Sequence, residues 1–209
     1  VLVTGGSSGI GQAVARYHAD CGHSVYATSR NPETNLQGKV HMLTMDVADF
    51  TSVEKAIDSI QKAEGRLDVL VNNAGLGMAG PLESTSQQEA EEIFKTNVFG
   101  VLNVCRAAVP LMRKHGGNII NITSIGGRFG LPYRGIYCSS KFAVAGMSET
   151  LSMELRQFGI HVCILEPGDF KTNINANRKV AQDVNYKIYP RFKQALEQVN
   201  EEVSGAKDP

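Results

Sequence analysis

No stretch of this sequence approaches the roughly 20 consecutive apolar residues that a membrane-crossing helix needs, and it opens directly on a strand-forming run rather than on a signal peptide. That argues against a membrane span and points to the cytoplasm. Charge of one sign is not in excess either. The 21 Lys and Arg stand against 21 Asp and Glu, so no global field draws the chain to nucleic acid or to an anionic membrane, and partners must be sought in local sites. Cysteine is scarce. Cys21, Cys105, Cys138 and Cys163 lie far apart and form neither a CxxC pair nor a Cys/His cluster, which argues against a disulfide framework or a structural metal and suits a reducing compartment. Internal repeats, low-complexity tracts and linkers are also missing. What remains is 209 residues, 42% hydrophobic and 20% charged, enough to bury one sizeable core in a single domain spanning 1–209.

Short β-branched runs alternate with longer segments of helical period. The runs are Val1–Val3, Ser24–Ala27, Val40–Leu43, Leu67–Val71, Asn118–Ile122 and His161–Leu165. Apolar on both faces, they predict an α/β fold with a doubly wound parallel sheet of Rossmann type. Two helical segments, Glu89–Lys114 and the one following Tyr137, are apolar around more of their circumference than a single core contact requires. They suit either a deep single core or packing against a second copy, as a homodimer or homotetramer. The first run has only three residues before a glycine turn, as though the sequence were truncated there, and Arg178–Pro209 reads as polar, loosely helical sequence that returns to no strand.

The turn is Thr4-Gly5-Gly6-Ser7-Ser8-Gly9-Ile10-Gly11, between the first strand and the first helix. Backbone amides and a helix N-terminus there form a place where a pyrophosphate can rest, although a glycine-rich turn is often only a tight connection. Its GxxxGxG spacing differs from the commoner GxGxxG, and its position after the first strand of a βαβ unit strengthens the dinucleotide reading. A residue reading the adenosine ribose is expected about 20 positions on. There the sequence has Thr28-Ser29-Arg30 and no carboxylate. An arginine forks onto a 2′-phosphate, which favours NADP(H) over NAD(H); the alternative is that Arg30 is an ordinary surface arginine.

Tyr137 and Lys141 stand four apart in Tyr137-Cys138-Ser139-Ser140-Lys141, on one face of a predicted helix. An ammonium beside a phenol favours its ionised form, so the expectation is a tyrosine drawn toward neutrality and able to exchange a proton with an alcohol or carbonyl oxygen. His18, His23, His41, His115 and His161 fall at no comparable position and read as surface or strand-end residues.

With Ser124 upstream, this ordered set resembles the short-chain dehydrogenase/reductase family in its single-domain form, over nearly the whole chain. Its other members here are Asp46-Val47, Asn72-Asn73-Ala74-Gly75, Asn97, and Pro167-Gly168 followed by Thr172. The resemblance implies Tyr137 as acid/base, Ser124 orienting the reacting oxygen, and Lys141 holding the nicotinamide ribose and lowering the Tyr137 pKa. Asn97 would bind a water linking Lys141 to solvent. It implies a cofactor site of Gly5, Ser7, Ser8, Gly9, Ile10, Gly11, Arg30, Asp46, Val47, Asn73, Ala74, Gly75, Tyr137, Lys141, Pro167, Gly168 and Thr172. Taken singly, Asn97 also reads as a polar helix residue, Ser124 and Asp46 as turn formers, and Thr172 as a helix cap. The family usually continues into a further helix and strand, so this chain stops within what resembles the substrate-covering segment, about 169–209.

The substrate walls are expected from Leu76–Met78, Ile125–Leu131 and Phe170–Ile174, mostly apolar with Arg128 the exception. Gly130-Leu131-Pro132-Tyr133 and the Tyr137–Ala143 run most resemble the hydroxysteroid and retinol dehydrogenase branch. An NADP-sensing regulatory protein without turnover is the competing reading; the intact Asn97, Ser124, Tyr137 and Lys141 speak against it. An extended nucleotide-sugar epimerase would need a larger substrate domain.

Overall fold

Each β-branched run becomes a strand in a computed structural model, which describes residues 1–32, 40–170, 172 and 178–209. β1 (Leu2–Val3) leads through the glycine turn into α1 (Gly9–Asp20), followed by β2 (Val25–Ser29), β3 (Val40–Thr44), α2 (Phe50–Glu64) and β4 (Val69–Asn72). Then come β5 (Met78–Ala79), α3 (Gln87–Phe94), α4 (Gly100–Met112), β6 (Gly117–Ile122), α5 (Gly135–Leu155), β7 (Ile160–Leu165), β8 (Lys179–Val180) and α6 (Pro190–Ser204).

Six strands pair in parallel in the order β3-β2-β1-β4-β6-β7. The chain builds outward from β1 to β3, then returns to place β4 on the other side of β1. The loops leaving β1 and β4 therefore diverge and open a crevice at the carboxyl ends of the strands. Both faces of the sheet are covered, which explains why its inner strands lack the alternation of a half-exposed sheet. Leu2, Leu70 and Ile119 pack with Val53, Val104 and Met112 on one face, and Val3, Val25 and Val71 with Ala15 on the other.

Local chemistry sets the helix ends. Asp49 caps α2 by accepting from the Thr51 N–H at 3.0 Å, and Gly65 ends it in a left-handed conformation, φ 69°. Ser86 and Glu89 close a reciprocal capping box at α3. Among the described residues no helix is long and apolar enough to cross a membrane.

A buried polar chain ties α5 to the sheet. Asn72 Nδ2 donates to Asn121 Oδ1 at 2.8 Å, Asn121 Nδ2 to Ser148 Oγ at 2.8 Å, and Ser148 Oγ to the Val144 carbonyl at 2.6 Å.

Two elements differ from expectation. The helical stretch Glu89–Lys114 is not one regular helix: α3 and α4 are joined by a π-helical turn, Lys95–Phe99, which holds Asn97. The tail from Arg178 does return to a strand, because β8 pairs in parallel with β5 in a separate two-stranded sheet, Met78 with Lys179 and Ala79 with Val180.

Candidate active site

A cavity of about 530 Å³ opens in the crevice between the β1 and β4 loops, within the range of about 300 to 1,000 Å³ typical of small-molecule sites. One end is built by the glycine turn. Gly5 and Gly9 adopt left-handed backbone, φ 62° and 54°, and a Cβ on Gly5 would come within 2.9 Å of Ala74 Cα. The two loops are laced together: Thr4 Oγ1 accepts from the N–H groups of Asn73 and Ala74, each at 3.0 Å, and Asn73 Nδ2 donates to the Thr4 and Gly5 carbonyls at 2.9 and 3.1 Å.

Of the residues expected at a cofactor site, Gly5, Ser7, Ser8, Gly9, Ile10, Arg30, Asp46, Val47, Asn73, Ala74 and Gly75 line this cavity. Gly11 does not. It serves packing, since a Cβ there would stand 2.4 Å from Asn73 Nδ2 and 2.5 Å from the Gly5 carbonyl oxygen. Ser8 precedes α1 without a side-chain cap, so the amides of the first turn gain no partner from it. Asp46 combines two parts, lining the cavity while its Oδ1 accepts the Ala48 N–H at 2.9 Å to form a turn.

At the other end stand Ser124, Tyr137 and Lys141, and Pro167 and Gly168 also line the cavity, while Thr172 lies against the glycine turn, its Cβ 3.1 Å from where a Cβ on Gly9 would stand. Tyr137 and Lys141 are both buried on the one-turn spacing of α5. Ser124 follows β6, accepts the Gly126 N–H at 3.1 Å and hydrogen-bonds the Tyr137 phenol.

The electrostatics correct one expectation. Lys141 Nζ lies 5.9 Å from the Tyr137 ring centroid and donates to the Ile122 carbonyl at 2.9 Å. Burial pushes the Tyr137 phenol up from its ordinary value, and the opposing pulls come from Ser124, Arg134 and Arg178 rather than from Lys141. Lys141 itself is pushed down to about 8 by burial. Desolvation outweighs the pair attraction because the ammonium faces a carbonyl and not the phenol oxygen.

Asn97 is buried behind the cavity wall. Its Oδ1 accepts the Leu76 N–H at 2.7 Å, and its Nδ2 donates to the Leu76 carbonyl and to Ser140 Oγ, both at 3.0 Å. A Cβ at Gly75 would stand 3.4 Å from Asn97 Oδ1 and 3.6 Å from Lys141 Nζ. The bare glycine thus leaves a gap between the two polar atoms.

The expected walls are met in part. Leu76, Gly77, Met78, Phe170 and Thr172 line the cavity, while Lys171 and residues 173–174 lie outside the described residues. Ile125–Leu131 do not line it. Ile125 and Phe129 are exposed, Leu131 packs against the Tyr137 cluster, and Arg128 pairs with Glu166 at 2.5 Å. The charged wall residues are instead Arg134, Asp169, Arg178 and Lys179, the last ion-paired with Glu92. Sequence reasoning missed these because nothing in spacing brings Arg134 and Arg178 together. The β5–β8 pairing and the bridge between Gly80 and Arg134 do so together.

The short chain dehydrogenase family model matches residues 1–183. The sequence is 49% identical over 183 residues to the 3-ketodihydrosphingosine reductase of Bacteroides thetaiotaomicron, covering 87% of this chain and 68% of that protein. It is 39% identical over 188 residues to human 17-beta-hydroxysteroid dehydrogenase type 1, covering 82% of this chain and 57% of that one. A short chain dehydrogenase/reductase from Burkholderia phymatum, crystallised in complex with NAD, has the same fold with a TM-score of 0.88 at 27% identity, over 99% of this chain and 79% of that one.

Proposed function

The chain belongs to the short-chain dehydrogenase family, and from that premise we propose that it is an NADP(H)-dependent oxidoreductase. It interconverts a secondary alcohol and a ketone, or a primary alcohol and an aldehyde, on a substrate with an apolar body. The observation that carries this reading is that Ser124, Tyr137 and Lys141 line the same cavity as the glycine turn of β1 and α1.

The residues present suit a dinucleotide. Gly5 and Gly9 bring bare backbone to the cavity, and α1 begins without a side-chain cap, so a pyrophosphate would rest against Ser7–Ile10. Asp46 and Val47 would meet the adenine, Asn73–Gly75 would line the cofactor, and Pro167, Gly168 and Thr172 would close its nicotinamide end. Arg30, at the end of β2, would face the 2′-phosphate and so favour NADP(H). The nicotinamide supplies or accepts the hydride when bound.

The protein supplies the proton. Burial keeps the Tyr137 phenol protonated at neutral pH, ready to donate to a carbonyl oxygen in the reducing direction. Ser124, already bonded to the phenol, orients and polarises that oxygen. Lys141 would turn to the cofactor ribose, and the gap over Gly75 suits a water passing protons between Lys141 and Asn97. Both curated relatives are named for lipid ketones or alcohols, which supports an apolar body, and Leu76 and Met78 on the wall suit one. Residues 169–209, with β8 and α6, would cover the substrate.

The test is a panel of ketones, aldehydes and alcohols assayed with NADPH and NADH. Turnover is expected, with NADPH favoured by roughly 10 to 150-fold from one charge-assisted hydrogen bond. Tyr137→Phe should abolish turnover and leave cofactor binding nearly intact. Activity of that variant within about tenfold of wild type, more than the roughly 10² to 10⁴-fold contribution of a general acid allows, would overturn the role of the tyrosine.

A further inference from the structure

Two guanidinium groups converge on the substrate side of the cavity. Arg134 and Arg178 both line the wall beside Tyr137. Arg134 directly precedes α5 and stands three residues before Tyr137, so the two share the face of the first turn. Arg178 precedes β8 and donates to Asn200 Oδ1 on α6 at 3.3 Å. The two guanidiniums repel each other and both act on the phenol.

Among the described residues the acids nearby leave Arg134 without an ion-pair partner. Asp169 acts on Arg178, and Asp46 belongs to the opposite, β2 end of the cavity. Glu92 is taken by Lys179 and Glu166 by Arg128. Among the described residues the Arg134 guanidinium has no hydrogen bond or ion pair. Its backbone, however, is firmly set. Tyr133 is held in left-handed backbone, φ 61°, with its carbonyl accepting the Gly80 N–H at 2.7 Å and its ring against Tyr189 and Phe192. A non-glycine residue persists there only when its surroundings over-determine it, and such positions cluster at ligand sites.

Resting on the oxidoreductase reading above, we propose that Arg134, supported by Arg178, is an anion subsite, and that the substrate is a ketone or alcohol bearing a carboxylate on an apolar body. A planar carboxylate matches the fork of one guanidinium, and Arg134 offers that fork without a competing partner. The carboxylate would lie beside the phenol and relieve the repulsion between the arginines, while Leu76 and Met78 hold the apolar remainder.

The probes are α-, γ- and δ-keto octanoates, their methyl esters, and an amino ketone of the same length, each assayed for kcat/KM. At least one keto acid should exceed its own ester by about tenfold or more, the scale of one charge-assisted hydrogen bond. Arg134→Met should bring that ratio close to one and Arg134→Lys should restore part of it; a purely structural role would lower both members of a pair together. Calorimetric titration of octanoate and octanol into the NADP-loaded protein gives a reading independent of turnover, with octanoate tighter and its advantage lost in Arg134→Met. The subsite is overturned by equal or ester-favoured turnover in wild type, by faster turnover of the amino ketone, or by an Arg134→Met ratio like wild type. Absence of turnover with every probe sinks the oxidoreductase reading, and the octanoate titration then decides the subsite alone.

Discussion

Lys141 carries a charge where almost no water reaches it, being 5% exposed, and burial lowers its pKa from 10.5 to about 8. The sign follows from proton counts. Between these two values the unfolded chain keeps a proton that the folded chain has lost, so this group makes stability climb with rising pH across the window. Below about 8 both states are protonated, the slope vanishes, and the fold carries the full burden of a desolvated ammonium, about 3 kcal/mol. Lys141→Met should therefore flatten the climb. Urea unfolding of the apo proteins at about pH 7.5 and about pH 10 is the measurement, with wild type gaining on the variant at the higher pH. Parallel behaviour of the two would mean that water reaches the ammonium. A residue so expensive to the empty protein is kept for what it does when the site is filled.

The π-helical turn between α3 and α4 shows how one irregular segment serves a site. A π-turn sacrifices regular hydrogen bonding and turns Asn97 inward, where three hydrogen bonds to Leu76 and Ser140 compensate. Asn97→Leu keeps the volume and removes all three, leaving the Leu76 N–H and C=O unpartnered. A loss of about 2 to 4 kcal/mol in urea unfolding is expected; a loss under about 1 kcal/mol would show that water takes over the Leu76 groups. Periodicity could find the helices on either side but not this turn, because one added residue per turn shifts the apolar stripe by less than its width. The strands of the main sheet were legible for the opposite reason, their β-branched runs being buried on both faces. β8 was not, since two residues carry no pattern and Lys179–Val180 becomes a strand only when Met78–Ala79 is beside it. Ser124, Tyr137 and Lys141 were legible as an ordered set and do share the cavity. Their ionisation was not, because spacing says which face a lysine takes and nothing about the Ile122 carbonyl that captures it.

Apolar surface remains on the outside of the long helices. Phe99, Leu102, Phe142 and Met153 are exposed, Met153 at 73%, and apolar side chains that join into one contiguous patch mark an interaction surface. The expectation is a homo-oligomer of at least two chains, read by light scattering at micromolar concentration; a stable, active monomer would refute it. The polar chain Asn72–Asn121–Ser148 acts within one chain as an alignment datum. A helix packed only by Leu, Val and Ala can slide along its axis with little resistance, since apolar contacts reform wherever the shapes allow. One residue of slip moves α5 by about 1.5 Å, enough to part Ser148 from Asn121 and strand buried amides. Packing alone would give Tyr137 a range of heights above β6; the amide-to-hydroxyl chain, together with the Lys141–Ile122 and Asn97–Ser140 hydrogen bonds, gives it one. The position of the phenol relative to Ser124 is therefore set in part three helical turns away, by residues that line no part of the cavity.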